Sequence, residues 1–266
     1  MSRRRKRKSP YWHRPMKRKL TYEPNLFWED RDSKALEAAS KYFQIVQPPK
    51  ECFVRGAYEE KDFSLFRGSL NLARRRGYTY PFARADKWLP IFREFCVSKD
   101  AYFTDLHHAG QVIRKEGAKF LRSVSPFKEL AGDVFDLPRY QTELAYQRSK
   151  DIMAGGLIVV VAEPIHIVEE CRFIFVNNKL VGWSKYMENG ELCVDPHVSE
   201  GALELAEYIG GHSYFLNCWD FIVDVGRVGE DWHLVEINAF ETSSFYAADC
   251  NKIYSRWAES LKIDID

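Results

Sequence analysis

The 266-residue chain is 45% hydrophobic and holds 7 Trp, 14 Tyr and 18 Phe. That is enough for a sizeable core in one or two domains, and it excludes a disordered or collagen-like protein. The net charge of +1 hides two unlike parts: residues 1–19 carry ten Lys or Arg and no acid, so the other 247 residues hold 29 bases against 38 acids, a net −9. The longest apolar run, Leu157 to Ala162, is six residues, where a membrane-spanning helix needs about 20. No apolar stretch follows the basic start, so a secretory signal is not expected. The six cysteines (52, 96, 171, 193, 218, 250) form no C-x-x-C pair, which fits reduced core thiols in a cytoplasmic protein.

In chain order, the basic tail runs to about residue 20, with Pro10 and Pro15 opposing a continuous helix. Asp32-Ser33 can cap a helix over Lys34 to Phe43, and Pro48-Pro49 breaks the chain before a short strand from Cys52 to Ala57. Leu65 to Arg75, Lys87 to Val97 and Asp105 to Glu116 read as helices, the last ended by Gly117. Strands then dominate. Lys119 to Arg122 is short and is followed by the loop SVSPFKELAGD; a polar helix spans about Pro138 to Met153. LIVVVAE (157–163) has strand length and β-branched composition. ECRFIFVNN (170–178) alternates, placing Arg172 on a face with Ile174 and Val176, and a turn at Asn178-Lys179 leads into LVGWSKYM (180–187). Ser199 caps a helix to Gly210, CWDFIVDV (218–225) and WHLVEIN (232–238) flank the turn GRVGED, and Phe245 to Ser260 closes the chain as a helix.

The last hairpin carries the most chemistry. Side chains alternate along a strand, so Glu236 and Asn238 share a face. A turn centred near Glu230 sets Asp224 opposite Glu236, with Cβ atoms about 5 Å apart. Two carboxylates and an amide oxygen are hard ligands of the kind Mg2+ takes together with substrate phosphates. The alternative, a solvent-facing hairpin with incidental acids, fits poorly because both acids interrupt apolar strands.

This pattern, D-V-G followed by W-H-L-V-E-I-N, resembles the metal-binding end of ATP-grasp enzymes, above all the RimK-like carboxylate–amine ligases. KFLRSVSPFKELAG is similar to the family's basic strand and flexible loop, with Arg122 on the strand, Lys128 in the loop and Gly132 at its end. Arg122 departs from the Lys usual there, though either cation can meet a phosphate. VVVAEPIHIVEECRFIFVNNKLVGWSKYM resembles the nucleotide hinge, the E-x-R strand and the strand after it. The resemblance spans about residues 117–260. It implies an α+β ATP-grasp fold, in which two α+β subdomains grip ATP, at 117–266, preceded by a small N-terminal α/β region (21–116) and a basic disordered tail (1–20).

The same resemblance implies ATP and Mg2+ (or Mn2+) as cofactors, the metal on Asp224, Glu236 and Asn238. The backbone at Val161 and Ala162 would meet adenine and Glu163 the ribose; Arg122, Lys128, Glu170, Arg172 and, more loosely, Lys185 would serve the phosphate end. Arg172 and Lys128 would be catalytic, offsetting charge as a carboxylate is activated to an acylphosphate that an amine then attacks. Loop 123–132 would act as a lid. The expected partners are ATP and small-molecule or peptide carboxylates and amines.

Ser243, Ser244 and Tyr246 lie where acceptor contacts fall in the family, with a cap and helix start as the alternative. His107-His108 lacks a third ligand, and Cys193, Asp195 and His197 read as a turn before Ser199 rather than a metal site. No nucleophile elbow and no P-loop motif occurs. Residues 3–19, with Tyr11 and Trp12 among the bases, suit nucleic-acid contact, a localisation segment, or an arm packed on the acidic body. Two other functions share these features: an ATP-binding assembly factor without ligase turnover, and a ligase-type modifier recruited to nucleic acid by the tail.

Overall fold

The computed structural model describes residues 18–47, 65–149 and 156–262. The tail through residue 17 and the expected strand at Cys52 to Ala57 lie outside the described residues, as does the end of the helix expected to reach Met153. Three sheets form an α+β architecture.

The first sheet is parallel, with β1 (Lys19–Tyr22) between β2 (Gln44–Val46) and β3 (Leu65–Arg67). The expected tail therefore ends earlier than residue 20: Leu20 is fully buried within β1. Helix α1 (Lys34–Tyr42) joins β1 to β2 and packs on the last helix. The helix expected from Leu65 is instead a strand, a break at Gly68, and a short helix α2 (Leu70–Arg75) capped by Ser69, whose Oγ accepts from the Leu72 amide at 3.2 Å. Burial of Phe66 and Arg67 beside β1 outweighs their helical spacing. Likewise the helix expected over Lys87 to Val97 shrinks to α3 (Ala85–Trp88). Pro90 lacks the N–H that the next turn would need.

The second sheet is antiparallel, in the order β4 (Tyr102–Asp105), β7 (Ile158–Ala162), β5 (Lys119–Ser123), β6 (Asp133–Phe135). Helices α4 (Leu106–Glu116) and α5 (Leu137–Ser149) cover one face, burying Leu106, Ile113 and Tyr140 on Leu121, Val159 and Val161. The other face presents Phe120 and Arg122 to the interior of the molecule.

The third sheet is antiparallel and central, in the order β10 (Glu191–Asp195), β9 (Lys179–Glu188), β8 (Glu169–Val176), β11 (Phe221–Val228), β12 (Asp231–Ala239). It is apolar on both faces, which is why its strands read as near-continuous hydrophobic runs. Phe173, Phe175, Phe221 and Val223 pack under helix α6 (Glu200–Gly211). Ile174, Val176 and Ile222 pack under helix α7 (Cys250–Ser260) and the first sheet. The β8–β9 turn falls at Asn177-Asn178, one residue earlier than expected, with both residues at positive φ. The stretch around Cys193, expected as a turn, is edge strand β10. Helix α7 begins at Cys250 rather than Phe245, because Asp249 caps it and the preceding loop is held elsewhere. The five cysteines among the described residues are free, and no described helix is long and apolar enough to cross a membrane.

Candidate functional site

Strand pairing sets a row of charges across the third sheet. Asp224 lies opposite Glu236 on β12 and opposite Arg172 on β8. A bulge at Val235 follows the Asp224–Glu236 pair, and Gly226 makes room for it: a Cβ there would come within 2.9 Å of Val235 Cγ2. Arg172 grips Asp224 with two donors, Nε to Oδ1 and Nη2 to Oδ2, both at 2.8 Å, and donates through Nη1 to the Ser244 carbonyl at 3.1 Å. Asn238 Nδ2 donates to Asp224 Oδ2 at 2.9 Å and also bonds Glu236, so its amide bridges the two carboxylates. Across the gap between the second and third sheets, Arg122 Nη2 meets Glu236 Oε1 at 2.6 Å and Lys128 Nζ meets Oε2 at 3.1 Å.

These contacts set the ionisation. Burial alone would raise the Glu236 pKa, but Arg122 and Lys128 overcome it and hold the carboxyl down at about 2. Glu170 moves the other way: burial raises its pKa, the Tyr186 hydroxyl that it accepts from works against this, and the nearby Asp224 adds to the rise. Tyr186 stacks on Tyr246 with ring centroids 5.0 Å apart, and the Arg172 guanidinium carbon lies 5.2 Å from each centroid. Arg172 is thus fixed by a carboxylate, a carbonyl and two rings.

Two hollows meet at this row. The first, about 340 Å3, lies between the sheets; Phe120, Ile165, Ile167 and Val235 supply apolar surface, and Arg122, Lys128, Glu163, Glu170 and Glu236 the polar groups. The second, about 630 Å3, is walled by Leu26, Phe27 and Leu70 from the N-terminal part, by Phe127 of the loop, and by Ser243, Ser244 and Tyr246. Lys128 lines both, and Arg172 and Asn238 open into the second. Lys128 sits at a left-handed φ of +51°, in a turn where its amide donates to the Ser125 carbonyl at 3.2 Å. Gly132 ends the loop against Phe120, whose Cζ would lie 2.9 Å from an added Cβ.

The structure therefore gathers Arg122, Lys128, Glu163, Glu170, Arg172, Asp224, Glu236 and Asn238 around connected hollows. It does not gather Lys185. That residue lies opposite Cys171, on the α6 side of the sheet and away from Arg172, and donates to Glu188 at 3.1 Å. Val161 points into the core beneath α4 and is flanked by paired strands on both sides; Ala162 is buried, so the exposed wall at this point begins with Glu163. Glu163 accepts from Lys119. Ser243, Ser244 and Tyr246 line the second hollow, while Ser243 Oγ donates to the Ala239 carbonyl at 2.7 Å and Ser244 Oγ donates to Glu29. His107 and His108 lie on α4, and the described residues hold no cluster of three or more His, Cys, Asp or Glu fit for a metal, so Cys193, Asp195 and His197 form none.

Sequence reasoning misses Glu29, Arg67 and Tyr186. Arg67, fully buried, donates to the Phe240 and Ser243 carbonyls (2.5 and 2.8 Å) and to Glu29 at 3.1 Å. Glu29 in turn accepts from the amides of Phe245 and Tyr246 at 2.9 and 3.2 Å. This pair anchors the loop after Asn238 to the N-terminal part, and only the rarity of an Arg at strand spacing beside Phe66 hints at it. Chemically, the two carboxylates and the amide can hold a divalent cation, and the bases across the gap can meet an anion.

Comparison with known proteins gives a consistent result. A family model described as an ATP-grasp domain, of a RimK-related clade, matches residues 74–259. No curated protein matches the chain significantly. Among solved structures, D-cycloserine synthetase DcsG has a TM-score of 0.58 at 12% identity, covering 92% of this chain and 99% of that one. A RimK domain ATP-grasp protein from Sphaerobacter thermophilus gives 0.55 at 15% identity, covering 92% and 99%. D-alanine–D-alanine ligase from Bacillus anthracis gives 0.54 at 11% identity, covering 93% and 96%. At these identities the likeness is one of fold.

Proposed function

The chain belongs to the ATP-grasp domain family, in a RimK-related clade, and from that premise we propose that it is an ATP- and Mg2+-dependent ligase joining a carboxylate to an amine through an acylphosphate. The observation that carries the reading is the meeting of the two hollows at Lys128, between the bases of one sheet and the acid–amide row of the other. The neighbours include an ATP-grasp ligase, PsnB, solved with a minimal precursor, Mg and ADP. The family match begins at residue 74 and β4 belongs to the second sheet, so we place the start of the ATP-grasp body nearer 74 than the expected 117.

The residues present fit a divalent cation. Asp224, Glu236 and Asn238 are hard oxygen donors on adjacent strands, and the amide already bridges the two carboxylates. They would hold Mg2+, which supplies charge neutralisation at the phosphates. Phe120, Ile165 and Ile167 offer the apolar surface that a base needs, and Glu163 stands at the edge of the same hollow for the ribose. Arg122 and Lys128 keep Glu236 ionised and face the phosphate end. Arg172 neutralises Asp224 and, through Ser244, ties the row to the second hollow.

The reaction balances as follows. A carboxylate oxygen in the second hollow attacks the γ-phosphorus, the bond to the β-phosphate oxygen breaks, and ADP leaves. An amine nitrogen then attacks the acyl carbon, and the C–O bond to phosphate breaks. The nitrogen loses a proton and inorganic phosphate departs. Lys128, lining both hollows, stands where charge moves from one to the other. Loop 123–132, which carries it, closes over the gap and excludes water.

The test is incubation of the protein with Mg-ATP and a metabolite extract, with mass spectrometry of what gains mass. An amide product formed only with ATP is expected, and it disappears in Asp224→Ala and Glu236→Ala. Undiminished turnover in either variant contradicts the metal assignment.

A further inference from the structure

The proposed chemistry uses none of the basic N-terminal residues, and the structure carries a surface that the chemistry does not use either. On α6, Glu200, Glu204 and Glu207 fall on one exposed stripe, and none of the three has an ion-pair partner among the described residues. The helix itself contains no Lys or Arg. The stripe runs into a cluster of rings: Tyr208 lies 4.4 Å from His212, His212 lies 6.4 Å from Tyr214, and Tyr214 lies 4.1 Å from Phe215, centroid to centroid. Trp219 joins them through the backbone. Its carbonyl accepts from the Asn178 amide at 2.8 Å, and Asn178 Oδ1 accepts from Ser213 Oγ at 3.1 Å. Tyr208, Tyr214, Phe215 and Trp219 are 46%, 64%, 55% and 66% exposed. Large open rings gathered in one place mark an interaction surface rather than scattered surface residues.

The chemistry of the surface selects its occupant. Unpaired carboxylates beside open ring faces suit a segment rich in Lys and Arg, which can pair with the acids and lie over the rings. Residues 3–17 hold eight Lys or Arg, no acid, and Tyr11 and Trp12. The described chain also begins near the surface. The Arg18 carbonyl accepts from the Gln44 amide at 2.9 Å; the adjacent Phe43 packs on Trp257 at 5.2 Å; Trp257 Nε1 donates to Asp220 Oδ2 at 3.1 Å; and Asp220 follows Trp219. Seventeen residues reach at most about 55 Å when extended, enough to cross from this point to α6.

We propose that this acidic and aromatic surface of α6 and the turn after it is the docking site of the chain's own basic N-terminal segment, residues 3–17. The surface lines neither hollow, so docking is independent of the ligase reading.

The test uses the full chain at low ionic strength with a carbodiimide that joins Lys to Glu directly. Cross-links within one chain from Lys6, Lys8 or Lys17 to Glu200, Glu204 or Glu207 are expected. They should vanish at about 0.5 M salt, where exposed charges are screened within a few ångströms. In parallel, the rate of tryptic cleavage within residues 3–17 should rise about fivefold in the charge reversal E204K/E207K and in the separate ring variant F215A/W219A, all four positions being exposed. Cross-links spread evenly over the acids of the body, cross-links only between two copies, or cleavage rates unchanged in both variants would each overturn the proposal.

Discussion

Replacing Glu236 by Gln keeps the side chain's shape and removes its charge, so the variant isolates what Arg122 and Lys128 contribute. The carboxyl falls from its ordinary 4.5 to about 2 in the folded protein, which corresponds to about 3 kcal/mol of preference for the charged form. Arg122 and Glu236 are nearly buried, but Lys128 is 38% exposed and its share is screened, so about 2–3 kcal/mol is the better figure. The sign follows from the direction: a depressed carboxyl stabilises fully above its unfolded value, and that stability is lost as pH falls through the folded value. Without magnesium, urea unfolding followed by tryptophan fluorescence should find Glu236→Gln less stable than the parent by about 2–3 kcal/mol at pH 7 and by about 1 kcal/mol near pH 3. A gap of the same size at both pH values, or a variant as stable as the parent, refutes the electrostatic account.

Further outcomes follow from the same contacts. Arg172→Met leaves Asp224, 1% exposed, with Asn238 as its remaining partner; thermal unfolding should show a loss of about 3–5 kcal/mol. Lys in its place should not restore the loss, because it lacks the fork. Gly210→Ala places a Cβ 2.1 Å from the Phe175 ring, whereas Gly211→Ala meets open space; stability in urea should fall for the first by about 1–3 kcal/mol and stay level or rise for the second. Lys128→Ala should leave the melting temperature almost unchanged and weaken ATP binding about tenfold in a fluorescent-nucleotide titration.

How much of this was legible in the sequence depended on how local the signal was. The facing pair Asp224 and Glu236 could be read because a short turn fixes register and alternation does the rest. Arg172 shares its face with Ile174 and Val176 for the same reason. Lys185 failed because β8 and β9 shift register between Glu170 and Cys171, which turns it to the α6 side. Strand β10 follows an Asn189-Gly190 turn with both residues at positive φ, a hairpin signal obscured by the polar residues of an edge strand. Strand β1 lay hidden because its first residues belong to a basic run, and burial of Leu20 and Tyr22 comes from partners far along the chain. Glu29 and Arg67 were invisible for that reason as well: their meaning lies in amides and carbonyls near residues 240–246. Local alternation set the metal-facing row, and long-range packing made the wall beside it.

The most direct test of the central claim is calorimetric titration of the full chain with a non-hydrolysable ATP analogue, in magnesium and in EDTA. Binding should be at least about tenfold tighter with magnesium, with that increment lost in Asp224→Asn while weak metal-free binding persists. Absence of nucleotide binding, or equal affinity in both conditions with Asp224→Asn unchanged, would contradict it.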